Sequence, residues 1–447
     1  MRKAYDSVAW QGLQLAMSRI NIPIHIIKLF EHIHKNRKSF GLTAHGSTDL
    51  FKVEDGIDQG ETYAPLLWRI FYDPLLIAVQ QTCHDVAFQF EATNNIHPAV
   101  ADIIRSGPVI NHAAFVDDTT WISKSQEGLE KITNLATSFF LMNDISINAN
   151  KTEVISVNSP NSQAHGNSNF NFGSGIKVPI RPTNWPIRYL GTWISSSRNN
   201  ASAFNKVTQE IEAILKIATQ KTISDKVAVY IVNAVILPII EYRTQALYVS
   251  ERQMTKWDAK IHKFIKAKAL LGRKIPNCII HHPDIYNIPA IKDRLYTSRI
   301  NNVLVHLLSS DLPGQIVKYQ LAKLQDTLWS EISPLRYPGT INNVKHRYTN
   351  NFIGMCIKGL EFYKTHVNLI SDSTYDTSIF TPILDIFPRQ SIRQNLIPAI
   401  RKMNIRFAQD IYENGQILPY ATFKFLKTGN KRGRPFPAYN IICKVLS

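Results

Sequence analysis

The chain has 447 residues, of which 44% are hydrophobic and 19% are charged. This composition is typical of globular proteins and excludes a disordered or collagen-like chain, and the length predicts more than one domain. The four cysteines lie far apart without a C-x-x-C pair, which argues against a disulfide scaffold or a thiolate zinc site. Because no signal-peptide pattern or membrane-spanning apolar run is visible, we expect a soluble, intracellular protein. The sequence does not decide between nucleus and cytoplasm, and it does not indicate an oligomer.

The formal net charge of +17 is distributed unevenly along the chain. Residues 1–200 carry 17 basic and 17 acidic side chains, whereas residues 201–447 carry 34 and 17. A basic surface attracts polyanions, because each Lys or Arg near a phosphate releases a condensed counterion. The charge therefore suggests a nucleic-acid-binding surface in the C-terminal part, although a solvated basic face without a partner stays open.

Predicted helices and strands alternate in the first half of the chain. The predicted elements are helices over residues 8–20, 24–33 and 129–142, strands over 39–44 and 50–53, a hairpin over 113–122 and an extended segment over 145–157. A helix is expected to begin at Pro65, with Pro74 kinking or ending its first part. Residues 158–175 are rich in Asn, Ser and Gly, which predicts an exposed loop, and from Ala201 the chain is mainly helical.

Asp117 and Asp118 stand between two apolar, β-branched runs, so we expect them at the tip of a tight hairpin. Adjacent carboxylates concentrate negative charge, which costs free energy unless cations compensate it. Mg²⁺ prefers carboxylates together with substrate phosphates, and two such ions can stabilise phosphoryl transfer. The pair therefore suggests a site for Mg²⁺ or Mn²⁺, and an exposed turn with two aspartates is the alternative.

The aspartate pair belongs to an ordered series of motifs. In chain order these are Gly56-Ile57-Asp58-Gln59-Gly60, Ala64-Pro65-Leu66-Leu67, Phe115-Val116-Asp117-Asp118, Asn148 with Lys151-Thr152-Glu153, and Tyr189-Leu190-Gly191. From Lys3 to roughly residue 275 the series resembles the reverse transcriptase of non-long-terminal-repeat (LINE-like) retrotransposons. The resemblance implies an α+β fold, with an incomplete right-hand polymerase palm lacking its fingers over residues 1–195. An all-helical basic thumb over 196–275 and a helical C-terminal region with a basic tail over 276–447 would follow.

The resemblance also implies a role for each motif. Asp117 would be the metal-binding catalytic aspartate, and Asp118 its neighbour in the F-x-D-D hairpin. The residues that position template and substrate would be Gly56, Gln59, Gly60 and Lys151, and the primer grip would be Tyr189, Leu190 and Gly191. Each motif also has a simpler interpretation. These are a strand-to-helix turn for the glycine loop, an ordinary exposed lysine for Lys151, and a buried strand residue followed by a turn for Tyr189-Leu190-Gly191.

One departure from the family bears on activity. The family's first motif has the form D-x-x-K-A-[FY]-D, and the chain begins Met1-Arg2-Lys3-Ala4-Tyr5-Asp6, so the leading aspartate would lie just before Met1. That aspartate is the other principal metal ligand, and Asp6 matches a different position. We therefore expect a truncated, inactive copy of an RNA-directed DNA polymerase, whose partners are an RNA template, a DNA primer and deoxynucleoside triphosphates. A non-catalytic RNA- or DNA-binding remnant is the alternative.

Two basic segments are candidate nucleic-acid contacts. Lys256, Lys260 and Lys263 recur at spacings of three and four on a predicted helix, whose opposite face carries Trp257, Ile261, Phe264 and Ile265. In the family a helical thumb follows the nucleic-acid backbone, so we expect these lysines to face a duplex; a solvated face is the alternative. Arg432 and Arg434 lie in an R-G-R-P sequence that is similar to the core of an AT-hook. A plain basic tail or a nuclear-import signal is the alternative.

Overall fold

The computed structural model describes residues 5–53, 56–58, 60–90, 95–157, 169–173, 175–182, 185–196, 200–343, 349–369, 381–387, 390–413, 416–428 and 437–446. The α-helices among them are α1 (Trp10–Arg19), α2 (Ile24–Lys35), α3 (Ala64–Thr82), α4 (Ala101–Arg105), α5 (Gln126–Met142), α6 (Ala201–Gln220), α7 (Asp225–Ile231), α8 (Leu237–Arg243), α9 (Glu251–Lys268), α10 (Cys278–His281), α11 (Ile291–Leu308), α12 (Leu312–Leu328), α13 (Phe352–Phe362), α14 (Gln390–Lys402), α15 (Tyr420–Thr428) and α16 (Pro437–Leu446). A π-helical turn, Val232–Ile236, joins α7 to α8.

The strands are short and form small sheets. They are β1 (Lys38–Ser39), β2 (Leu42–Thr43), β3 (Gly46–Ser47), β4 (Phe51–Lys52), β5 (Phe88–Gln89), β6 (Val109–Ile110), β7 (His112–Phe115), β8 (Asp118–Trp121), β9 (Val154–Ile155), β10 (Asn169–Phe172), β11 (Ile176–Arg181), β12 (Ile187–Tyr189), β13 (Thr192–Ile194), β14 (Tyr412–Glu413) and β15 (Gln416–Ile417). The mixture of helices and sheets confirms the predicted α+β class.

The chain forms two compact units. Unit 1 consists of Met1–Gln89, Val109–Leu190 and Ile194–Asn199, and unit 2 of Phe90–Pro108, Gly191–Trp193 and Asn200–Ser447. The grouping of Phe90–Pro108 with the C-terminal part of the chain was not predicted.

The core of unit 1 is built around α3. Its inward face carries Leu67, Trp68, Phe71, Tyr72, Leu75 and Val79, all of them buried and spaced by one helical turn or less. Pro74 lies inside α3, which runs on to Thr82, so the expectation that this proline ends the helix is wrong. The missing N–H of a proline weakens a helix locally, but buried residues on both sides, Tyr72 and Leu75, keep the two halves packed in one core.

The predicted loop over residues 158–175 is wrong in its last part. Residues 158–168 and 174 lie outside the described residues, but β10 pairs antiparallel with β11, which in turn pairs parallel with β9. Phe170 and Phe172 are buried on one face of β10. This period of two is the signal of a half-buried strand, and the Asn and Gly residues around it obscured it.

Several other predicted elements of unit 1 are confirmed. Helices α1, α2 and α5 occupy the predicted helical segments, and Asn21 at the first break has a left-handed φ of 58°. Strands β7 and β8 form the predicted hairpin. The segment over residues 39–53 holds two nested pairings, β1 with β4 and β2 with β3.

Unit 2 is mainly helical, as predicted. The apolar face of α9 is buried, with Trp257, Ile261, Phe264 and Ile265 all at most 5% exposed, which confirms the predicted orientation of this helix. A second core lies among α11, α12, α13 and α14, and the C-terminal region predicted as helical also contains a small hairpin of β14 and β15. None of the described helices combines the length and the apolar character needed to cross a membrane.

Candidate functional site

Asp117 and Asp118 lie where β7 turns into β8. Val116 in this turn has a φ of 56°, in the left-handed region that a β-branched residue adopts at a cost of about 1–2 kcal/mol. Asp117 is half-buried beside Val116, and the exposed Asp118 opens β8 opposite Phe115. The predicted hairpin with two carboxylates at its tip is therefore present, on a strained turn.

Two buried aromatic residues of α3 hold this turn. The indole N–H of Trp68, which has no exposed surface, donates to the carbonyl oxygen of Val116 at 2.8 Å. The hydroxyl of Thr119 donates to the phenol oxygen of Tyr72 at 3.1 Å, and the rings of Trp68 and Tyr72 stack with their centroids 5.3 Å apart. Because both residues belong to one packed helix, they anchor the strained turn to the core of unit 1.

The charge of Asp117 acts on two neighbouring phenols. Burial raises the pKa of Tyr72; the hydrogen bond with Thr119 opposes this rise, and the negative charge of Asp117 adds to it. Burial first and Asp117 second also raise the pKa of Tyr5. Both phenols stay protonated at neutral pH, so they add no further negative charge to the turn.

The turn borders a cavity of about 430 Å³ that lies within unit 1. Asp117, Asp118, Lys151, Tyr189 and Leu190 all line it. These residues come from three motifs that are far apart in the sequence, and the fold brings them to one cavity. Its volume lies within the range of about 300–1,000 Å³ that is usual for ligand sites.

The cavity also carries positive charge. The exposed Lys151 ends a short 3-10 turn, and the exposed Arg188 of β12 lines the same cavity. Glu153, another lining residue, is paired with Arg181 at 2.9 Å, so its charge is compensated from within the fold. Arg188 is not among the predicted site residues, since nothing in its local sequence pattern distinguishes it from a surface arginine.

The glycine loop before α3 packs against the beginning of the chain. Gly56 has a φ of 90°, and its N–H donates to the carbonyl of Val8 at 3.0 Å. A Cβ at this position would lie 3.0 Å from the Cα of Asp6, so internal packing alone requires a glycine. At Gly60, where φ is 106°, a Cβ would meet open space. Gln59 lies outside the described residues.

The turn between β12 and β13 has positive φ at both central residues, 44° at Leu190 and 76° at Gly191, as in the tight turns favoured by β-hairpins. Within unit 2, the guanidinium of Arg243 donates to the carbonyl of Gly191. Arg243 also forms two hydrogen bonds with Glu210, at 3.0 and 3.1 Å. A methyl group on residue 191 would lie 2.8 Å from this guanidinium. Arg243 therefore fixes Gly191, a contact that sequence reasoning missed.

The lysines of α9 differ in their surroundings. Lys256 and Lys263 are exposed, but Lys260 forms an ion pair with Glu212 at 2.6 Å. Lys266 donates to the carbonyl of Ile275 at 2.6 Å and so serves the local fold. The predicted basic face therefore exists, but its charges are not equally available. Arg432 and Arg434 lie outside the described residues.

The carboxylates at the turn fit a metal ion only in part. Their oxygen atoms are the ligands that Mg²⁺ prefers, and one or two carboxylates suffice where substrate phosphates complete the shell. Within the part of the chain that the structure describes, however, no three His, Cys, Asp or Glu side chains gather into a metal-binding group. Asp117 and Asp118 thus suit an ion that is shared with a phosphate ligand.

Comparison with known proteins agrees with the motifs. Residues 1–194 match the family described as reverse transcriptase (RNA-dependent DNA polymerase). The chain is also similar to the retrovirus-related Pol polyprotein from type-2 retrotransposable element R2DM of Drosophila melanogaster, at 19% identity over 351 residues. That similarity covers 74% of this chain and 30% of the relative, so the chain spans less than a third of the relative's length. Residues 1–194 are therefore a reverse transcriptase domain, and the predicted resemblance to non-long-terminal-repeat retrotransposons is confirmed.

Proposed function

We propose that unit 1 is the palm of an RNA-directed DNA polymerase, and that its cavity receives the primer end and an incoming deoxynucleoside triphosphate. The observation that carries this proposal is the convergence of Asp117, Lys151 and Tyr189 on one cavity. A cavity that combines carboxylates with cations suits a phosphate ligand accompanied by a divalent ion. An RNA template and a DNA primer would be the macromolecular partners.

In this proposal each side chain has a separate task. Asp117 would hold Mg²⁺ or Mn²⁺, which when bound neutralises charge on the phosphates that it contacts. Lys151 would bind phosphates of the incoming nucleotide, and the turn at Leu190 and Gly191 would support the primer end. Trp68 would act as a positioning residue, because it keeps the carboxylates in place before the ligand arrives.

We further infer that this chain, acting alone, binds a primer and template better than it extends them. Two-metal phosphoryl transfer needs ligands on both sides of the reacting phosphate, and Asp117 and Asp118 stand on one hairpin turn, so they reach the phosphate from one side. A non-catalytic nucleic-acid-binding role is therefore the second candidate function.

Unit 2 would contribute a helix that follows the duplex. Lys256 and Lys263 on the exposed face of α9 would contact phosphates, while Lys260 would contribute less because Glu212 already pairs with it. The basic excess of residues 201–447 supports this assignment.

The test uses an RNA template annealed to a DNA primer that ends in a dideoxynucleotide, so that no synthesis is required. With Mg²⁺, the next complementary deoxynucleoside triphosphate should slow the dissociation of the complex several-fold when an excess of competitor is added. Asp117→Asn and Lys151→Gln should each abolish this slowing. Asp49→Asn and Lys28→Gln, which remove the same charges from exposed positions of unit 1, should retain it.

The outcomes separate the two candidate functions. A parent chain that shows no nucleotide effect, or an effect that survives Asp117→Asn, would contradict the palm assignment. With an extendable primer we expect little synthesis; vigorous extension that Asp117→Ala abolishes would support the palm and disprove the inference of poor catalysis.

A further inference from the structure

A second concave surface lies in unit 2, on the C-terminal side of the part that matches the reverse transcriptase family. It encloses about 680 Å³ and is lined by residues from two segments, 336–340 and 360–368. We call this surface the C-terminal groove. It shares no residue with the cavity of unit 1.

The C-terminal groove is positively charged. Arg336, Lys364 and His366 line it, and Glu361 is the acidic residue among its described lining residues. The carboxylate of Glu361 accepts a hydrogen bond from the side-chain amide of Asn342 at 2.8 Å, which partly satisfies it. The balance of charge therefore favours an anionic ligand.

One wall of the groove offers an aromatic face beside a cation. Tyr337 is 47% exposed as a residue, and the guanidinium of Arg336 lies over one face of its ring, 5.8 Å from the centroid. The hydroxyl of Thr340 donates to the carbonyl of Tyr337 at 2.8 Å, which holds this segment in a tight turn. Gly339 also lines the groove, and an added Cβ at this residue would meet nothing within 4 Å.

We propose that the C-terminal groove binds single-stranded nucleic acid, with one base stacked on the face of Tyr337 opposite Arg336 and the adjoining phosphates on Arg336 and Lys364. A cationic groove with an exposed ring is the combination by which proteins hold single strands without reading their sequence. The bases of a duplex are already stacked and paired, so they cannot stack on this ring. An acidic peptide would contact the cations of the groove and would not use the ring. The proposal is independent of the polymerase assignment, because it uses no residue of unit 1.

The test measures binding of the full chain to fluorescein-labelled ten-residue oligo(U) and oligo(dT) by fluorescence anisotropy. Tyr337→Ala should weaken binding about tenfold or more, since stacking contributes that much per base. Tyr337→Phe, which keeps the ring, should bind like the parent. Lys364→Gln should lower the slope of log K against log salt by about 0.7. Lys226→Gln, the same change at an exposed lysine of α7, should leave that slope unchanged.

Three results would overturn the proposal: Tyr337→Ala binding as tightly as the parent, Tyr337→Phe losing as much affinity as Tyr337→Ala, or poly-glutamate competing as well as the oligonucleotide at equal charge. Unchanged urea midpoints of the variants establish that they fold. Tyr337→Ala should leave binding of an RNA–DNA hybrid duplex unaffected, which separates this groove from the primer and template contacts.

Discussion

The hydrogen bond from Trp68 to the turn at Val116 can be tested by the substitution Trp68→Phe. The change removes the N–H that donates to the Val116 carbonyl at 2.8 Å and part of a fully buried ring. A buried carbonyl without a donor costs about 1–3 kcal/mol, and the lost ring volume adds about 1–2 kcal/mol. The free energy of unfolding should therefore fall by about 2–5 kcal/mol.

The more specific effect is local. The hairpin of β7 and β8 spans four paired positions, and Val116 adopts an unfavourable φ, so losing the anchor should make opening of the hairpin about 1–2 kcal/mol easier. This corresponds to roughly 5- to 30-fold faster amide exchange. Hydrogen exchange followed by mass spectrometry of peptides covering residues 109–124 measures this change directly.

Trp257→Phe is the matched control. Trp257 is also fully buried, and its indole donates to the hydroxyl of Thr208 at 2.9 Å, but it lies on α9 of unit 2. It should lose comparable global stability without faster exchange in peptides 109–124. Equal exchange of the hairpin in the two variants would refute the view that Trp68 holds the turn at Val116.

Three further predictions concern unit 2. Gly191→Ala should lower the free energy of unfolding by about 2–3 kcal/mol, because a left-handed alanine is strained and its methyl group would lie 2.8 Å from the Arg243 guanidinium; a urea-unfolding change below about 1 kcal/mol would contradict this reasoning. Lys256→Gln combined with Lys263→Gln should reduce the salt slope of hybrid-duplex binding by about 1.8, and an unchanged slope would remove α9 from the interface. Burial lowers the pKa of His262 to about 4 in the folded chain. On acidification the unfolded chain is therefore protonated at this histidine at a higher pH than the folded chain, and the free energy of unfolding should fall as the pH drops from about 6.5 toward 4. His262→Gln should flatten that part of a stability–pH curve, and an unaltered curve would contradict the assignment of this pH dependence to His262.

The parts of the fold that follow from local pattern could be predicted. The hairpin around Asp117 follows from an apolar run before two polar residues and a β-branched run after them, and the buried face of α9 follows from the spacing of Trp257 and Phe264. In both cases neighbouring residues determine the structure. The strand carrying Phe170 was missed although its period of two was visible, because the composition of the surrounding residues pointed to a loop.

Contacts between distant residues could not be predicted. Arg243 reaches the Gly191 carbonyl across 52 residues, and Lys260 meets Glu212 across 48 residues. Such pairs depend on how helices pack, which a single sequence does not specify. For the same reason the motif series could indicate Asp117 and Lys151 but not that Arg188 lines the same cavity.

The central claim is that the end of a primer lies in the cavity bordered by the two aspartates. A DNA primer carrying a photoreactive nucleotide at its 3′ end, annealed to an RNA template and irradiated with the chain, tests this claim without requiring synthesis. We expect cross-links, mapped by mass spectrometry, in peptides that contain residues 117–121, 151–155 or 187–190. Cross-links confined to other parts of the chain, with these peptides unmodified, would contradict it.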